Sequence, residues 1–171
     1  MVTKFIVIDV ERPDDFRVNV IIGMSHFIKT VEDIYEALLN VNPTIKFGLA
    51  FCEASGSRLI RTTGTDKEMI GFATRNAKKI AAGHSFVLFL NNTFPVSILG
   101  VLKNVPEVCH IFCATSNPLQ ILVGTTDQGN GIVGVVDGGS PYGVEGVNDI
   151  IKRYELLREL GYKFDPKKEG S

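Results

Sequence analysis

Arg17-Val18-Asn19-Val20-Ile21-Ile22-Gly23-Met24-Ser25-His26-Phe27-Ile28-Lys29-Thr30-Val31-Glu32-Asp33-Ile34 changes its hydrophobic period halfway along, and that change sets the fold class. Up to Met24, Val18, Val20 and Ile22 alternate with Arg17, Asn19 and Ile21, the period of two expected of a strand. From Thr30 onward, Val31, Ile34, Leu38 and Val41 recur at helical spacing, and Thr30 is placed to cap the free amides. Upstream, residues 4–10 read as another strand. Glu11-Arg12-Pro13-Asp14-Asp15 then forms a turn, so the first two strands are expected to pair antiparallel. Downstream, 45–53 and 58–62 read as strands, and Thr65-Asp66-Lys67-Glu68 is a capping box before a helix carrying Ile70, Ala73, Ala77 and Ile80. Residues 84–90 are apolar on both faces and therefore central. A helix over 95–103, a strand over 108–115, a hairpin with Asn130-Gly131 at its turn and a helix over 147–160 complete the chain. The expected fold is α/β: one mixed β-sheet with helices packed on it, in a single domain over residues 1–164 with a polar tail over 165–171.

Composition narrows the function. With 171 residues the chain can bury a sizeable core without disulfides or metal. Lys plus Arg is 18 and Asp plus Glu is 19, a net charge of -1, which excludes a global basic field for nucleic acid. No apolar run reaches the roughly 18 to 20 residues of a membrane span. The N-terminal run reads as a strand and not a secretion signal. Three cysteines, an odd number, point to a reducing, cytoplasmic compartment.

Two motifs fail on physical grounds. Gly129-Asn130-Gly131-Ile132-Val133-Gly134 fits G-x-G-x-x-G, but β-branched residues follow where a dinucleotide site needs a helix N-terminus. Cys109-His110-Ile111-Phe112-Cys113 cannot gather at one zinc, because on a strand the two thiols lie about 13 Å apart and His110 faces the other way. These cysteines are read as buried small hydrophobes.

Four polar loops remain. In the first, His26 can shuttle a proton or accept a phosphoryl group, or it closes the loop structurally. Lys29 adds positive charge at a helix start, while Glu32 and Asp33 suit a magnesium-bound phosphate. The second, Glu53-Ala54-Ser55-Gly56-Ser57-Arg58 with Arg61, offers hydroxyls and two arginines for phosphate oxygens, or is an ordinary turn. The third, Ala114-Thr115-Ser116-Asn117-Pro118, ends a strand taken as central, and Asn117 fits a base edge or a ribose hydroxyl, or an Asn-Pro turn. The fourth is Asp137-Gly138-Gly139-Ser140, where Asp137 would take a ribose hydroxyl or a metal, or which is a plain loop. Phe94, beside Pro95, is read as a core residue, and His84 as structural. Spacing and chemistry thus describe an α/β domain whose strand-end loops suit a phosphorylated small molecule.

With these loops the chain resembles the adenosine-specific kinase family. The resemblance runs from about Lys4 to Lys163 and rests on blocks in order: His26-Phe27-Ile28-Lys29-Thr30-Val31-Glu32-Asp33; Ala54-Ser55-Gly56 with Arg58 and Arg61; Ala82-Gly83-His84-Ser85-Phe86; Phe94-Pro95; Pro106-Glu107-Val108-Cys109; Ala114 to Pro118; Gly131-Ile132 through Asp137-Gly138; and Leu157-Arg158 with Gly161-Tyr162-Lys163. It implies a three-layer α/β/α fold, binding of adenosine or AMP, and phosphoryl transfer through a phosphohistidine. His26 is the expected phosphohistidine, with His84 and His110 as competitors and Lys29 as its catalytic companion. Thr30, Ser55, Arg58, Arg61, Thr115, Ser116, Asn117, Asp137 and Gly138 are the implied nucleotide contacts. Mg²⁺ is the implied cofactor, at Glu32 and Asp33. The chain departs from the family at Asn130, where an arginine is frequent. A homo-oligomer, such as a trimer, is implied, with no nucleic-acid or membrane partner; a non-catalytic AMP sensor is the alternative function. All these loops are expected to converge on one nucleoside.

Overall fold

The computed structural model describes residues 4–165. The expected polar tail, apart from Asp165, lies outside the described residues. The chain divides after Gly138 into two compact units.

The first unit holds β1 (Lys4–Asp9), β2 (Asn19–Ser25), α1 (Thr30–Val41), β3 (Phe47–Cys52), β4 (Ile60–Gly64), α2 (Lys67–Ile80), β5 (Ser85–Leu90), α3 (Pro95–Lys103), β6 (Val108–Thr115), β7 (Leu119–Thr125) and β8 (Asn130–Asp137). The α/β class is as expected. The single mixed sheet is not: the strands form a five-stranded sheet in the order β4-β3-β5-β2-β6 and a three-stranded sheet in the order β1-β7-β8. Every strand pairing in both is antiparallel.

Burial on both faces of the large sheet accounts for the layering. Ile21, Leu49, Phe51, Phe86 and Leu88 pack on one face against Ile34 and Leu38 of α1 and Ile98 and Leu102 of α3. Val20, Ile22, Ala50, Val87 and Phe89 pack on the other against Ala73, Ala77 and Ile80 of α2 and Ile121 and Val123 of β7. The third layer is therefore a helix together with a second sheet. β5 is the middle strand of five, in keeping with its apolar run.

Several local readings shift for identifiable reasons. β1 pairs with β7, and β2 with β5 and β6, so the first two strands do not form a hairpin. The Arg12 guanidinium holds their connection elsewhere, donating to the carbonyls of Ser116, Asn117, Asp15 and Val18. β6 is an edge strand and not a central one. Thr30 does not cap α1, because its hydroxyl donates backward to the carbonyls of Phe27 and His26. The cap of α2 is Asp66, which accepts from the Glu68 and Met69 amides, while Thr65 donates to the Ile45 carbonyl. The β7–β8 turn closes between Thr126 and Gly129, one step before Asn130-Gly131, which lie in β8. Phe94 is 47% exposed and not in the core.

The cysteines divide. Cys52 is buried, Cys113 is half-buried, and Cys109 is exposed, against expectation. Burial pushes the Cys113 thiol up to about 11. Cys109 is expected to react first with a thiol reagent at pH 8, the other two only on unfolding. Between pH 9 and 11 the unfolded Cys113 ionises while the folded thiol keeps its proton, so stability falls as pH rises. A urea titration at pH 8 and pH 10.5 checks this, and Cys113→Ala should flatten the difference.

The second unit, from Gly139, contains α4 (Val147–Glu159). Asp149 accepts from the Gly146 amide at its start, and Arg153 pairs with Glu145. None of its side chains is buried; Val147, Ile151 and Tyr154 are exposed.

Candidate functional site

The five-stranded sheet has two polar ends. Strand β2 runs between them: Val20 lies opposite Thr115, and Ser25 opposite Val108. At about 3.3 Å per residue the ends are ~17 Å apart.

The first end gathers His26, Lys29, Thr30, Glu32, Asp33, Ser55, Arg58 and Arg61. Here a cleft of about 980 Å³ opens between the two sheets, lined by Glu53, Ala54, Arg58, Ala81, His84, Asn130 and the 126–131 turn. His84 is held in the left-handed region, at φ 62°, by donating its amide to the Cys52 carbonyl and accepting from the Ser25 amide. Its ring stacks on Phe51 at 5.9 Å and meets the His26 ring edge-on at 6.4 Å. His26 is exposed, and its amide donates to the Glu107 carbonyl. The Lys29 ammonium lies between Asp33 and Glu107, at 2.5 and 3.0 Å. These bonds, Asp33's first, raise its pKa above the usual lysine value. Thr30 is buried. Arg61 pairs with Glu53 at 3.0 Å. The Leu59 amide, together with this arginine, holds the Glu53 carboxyl below the usual range. Arg58 and Ser55 are exposed in the turn above, and Arg58 makes no ion pair among the described residues.

The second end holds Thr115, Ser116, Asn117, Asp137 and Gly138. Asp137 Oδ1 accepts from the Thr115 hydroxyl at 2.7 Å and from the Asn117 amide at 3.0 Å. Gly138, at φ 63°, sits so close that a Cβ there would meet Asn117 Nδ2 at 3.2 Å. A cleft of about 630 Å³ lies beside Ser116 and Gly138. The fold brings the site residues together as two groups, not the one cradle the sequence implies.

The two ends differ in stored cost. Among the described residues the non-glycine ones with positive φ are Phe27, Arg58, Ala81 and His84, all at the first end and three of them on its cleft. Among the described residues the buried side-chain polar atoms without a partner are Ser25 Oγ, Arg61 Nε and Glu107 Oε2, again all at that end. Strain and unpaired polar groups persist where the surrounding structure enforces them, and they cluster at functional sites. His84 and Glu107 are the residues whose part here sequence reasoning undervalued. Their signals were the glycine before His84 and the Pro-Glu turn directly before a strand.

For a metal, the donors are thin. Among the described residues no group of three or more His, Cys, Asp and Glu side chains gathers to hold one, and Asp33 is already engaged by Lys29. No helix among them is long and apolar enough to cross a membrane.

A sequence model described as adenosine specific kinase matches residues 8–163, nearly the whole chain. The chain belongs to the adenosine-specific kinase family. The chain is also similar to a solved structure, the crystal structure of PH1918 protein from Pyrococcus horikoshii OT3, which is 42% identical, with a TM-score of 0.90 over 96% of this chain and 100% of that one. No curated protein matches. In this member of the family, Asn130 donates to the Ile80 carbonyl at the mouth of the larger cleft, so the side chain there ties β8 to the end of α2.

Proposed function

We propose that the protein binds adenosine or AMP in the larger cleft and passes a phosphoryl group through His26 to or from a ribose hydroxyl. Membership of the adenosine-specific kinase family supports the ligand. The observation that carries the site is one cleft, of a volume that suits a small ligand, lined by strained His84 and by Arg58, which makes no ion pair among the described residues, with the His26 ring 6.4 Å from that of His84. In the transfer, an unprotonated ring nitrogen of His26 attacks phosphorus, a P–N bond forms, and the bond from phosphorus to the leaving oxygen breaks. Arg58 and Ser55 would take the phosphate oxygens, a task that Arg suits through paired contacts. Mg²⁺ would neutralise the phosphate charge. It would be held chiefly by the phosphates, with Glu32 beside them, since Asp33 is engaged by Lys29.

Thr115, Ser116, Asn117, Asp137 and Gly138 would meet this nucleotide from another copy of the chain, since within one copy they lie at the far end of the sheet. A homo-oligomer, a trimer for instance, is consistent with the exposed apolar Phe5 (73%), Val7 and Val133 on the three-stranded sheet. The sensor reading has one observation in its favour: Lys29 is neutralised by two carboxylates and so is not free for a phosphate.

A thermal melt with adenosine, AMP or GMP tests binding. At 100 times the dissociation constant a ligand adds about 2.7 kcal/mol, a rise of roughly 5–10 °C. Adenosine and AMP should give it and GMP should not; no rise with either refutes the reading. Binding without product over hours selects the sensor.

A further inference from the structure

We infer that Glu107 is a positioning residue that clamps the His26–Lys29 turn; the inference rests on the proposed role of His26. Glu107 lies outside that turn, 78 residues from Lys29 in sequence, yet it holds both ends of it. Its carbonyl accepts from the His26 amide at 2.7 Å, and its carboxylate Oε1 accepts from the Lys29 ammonium at 3.0 Å. It is itself rigidly placed. It follows Pro106 in a tight turn, closed by the Val108 amide on the Val105 carbonyl, that leads directly into β6.

A carboxylate is a costly choice for that position. The side chain is only 8% exposed, its one cationic partner is half in solvent, and Oε2 is buried with no partner among the described residues. Removing charge from water without full compensation destabilises a fold, so a satisfied apolar side chain would serve packing better. What the carboxylate adds is a charge-assisted bond to Lys29. The turn needs that anchor, because Phe27, inside it, stands at φ 76°, a conformation unfavourable for any residue but glycine. Asp33 binds the same ammonium from within α1, so the two carboxylates grip Lys29 from the helix and from the sheet.

Amide hydrogen exchange in the full-length protein, read alongside acid-labile phosphate on His26, tests the clamp. The main-chain bond to His26 survives any substitution at 107, so the variants report on the side chain alone. Glu107→Ala should speed exchange over residues 26–33 at least tenfold, leave β5 unchanged, and lower phosphate incorporation at least tenfold, with AMP affinity within twofold. Glu107→Gln, which keeps an acceptor but not the charge, should fall between wild type and Ala. Lys29→Ala should mimic the loosening, and Glu107→Ala should add nothing to it. Unchanged exchange over 26–33 in both Glu107 variants overturns the clamp, as does acceleration spread evenly through the sheet. Absence of phosphate on the wild-type protein instead counts against the chemistry of His26, while the exchange result still decides the clamp.

Discussion

With His26 replaced by glutamine, the protein folds as before but carries no acid-labile phosphate, and any AMP formation drops on the order of 10³-fold or more. The fold survives because His26 is exposed, with its ring against those of Phe27 and His84, while its amide bond to the Glu107 carbonyl is main chain. Intact-mass measurement before and after mild acid, with a circular-dichroism melt as control, provides the check. Phosphate persisting on the variant would move the acceptor to His84, which stands beside it on the cleft. A companion experiment addresses the far end. Asp137→Asn removes a carboxylate that organises Thr115 and Asn117, and should also be inactive. If two copies share a site, mixing His26→Gln with Asp137→Asn after subunit exchange recovers activity that neither has alone. A silent mixture argues that each copy works by itself.

The second large effect is on stability. Gly48, in β3, lies so close to α2 that a Cβ would sit 2.0 Å from the Ile70 nitrogen and 2.1 Å from the Met69 carbonyl carbon. Both are backbone atoms of a helix anchored by the Asp66 cap and by buried Met69, Ala73, Ala77 and Ile80, so neither can give way locally. Gly48→Ala should cost about 3 kcal/mol or more, lowering the melting temperature by roughly 10 °C. Gly100→Ala in α3 is the control: nothing lies within 4 Å of the added Cβ, and the melt should hold or rise slightly. Equal melts for the two variants would refute this account of the β3–α2 contact.

Local signals in the sequence were strong wherever one period dominated. The helices emerged from the spacing of Ile34 and Leu38, of Ala73, Ala77 and Ile80, and from Pro95. The central place of β5 followed from its unbroken apolar run. What the sequence did not display was pairing. Residues 4–10 and 17–24 are neighbours in sequence but belong to different sheets, and the reason lies more than a hundred residues away, in carbonyls that Arg12 finds at Ser116 and Asn117. The same limit applied to the site. His26 and Arg58 were visible as chemistry-bearing types at strand ends, but periodicity does not say which end of a sheet a loop occupies. Thr115, Asn117 and Asp137 were legible as a polar group and proved to be hydrogen-bonded to one another, yet they stand at the opposite end. Glu107 was legible only as a member of the Pro106-Glu107-Val108-Cys109 block, with no chemistry assigned to it; its burial and its two contacts to the His26–Lys29 turn give it a part.

Arg12 also bears on how the larger cleft can admit a guest. Its guanidinium joins the linker between β1 and β2 to the turn between β6 and β7, and both segments pass from one sheet to the other. At the other end β8 meets the end of α2 and the connection to β5 through the Ala82–Asn130 bridge and the Asn130 side-chain amide. The two sheets are thus bound like the leaves of a book, with the spine at Arg12 and the fore-edge at the histidines. Any guest in the larger cleft would lie at the fore-edge, beside the Asn130 bonds to the α2–β5 connection, and far from the Arg12 spine.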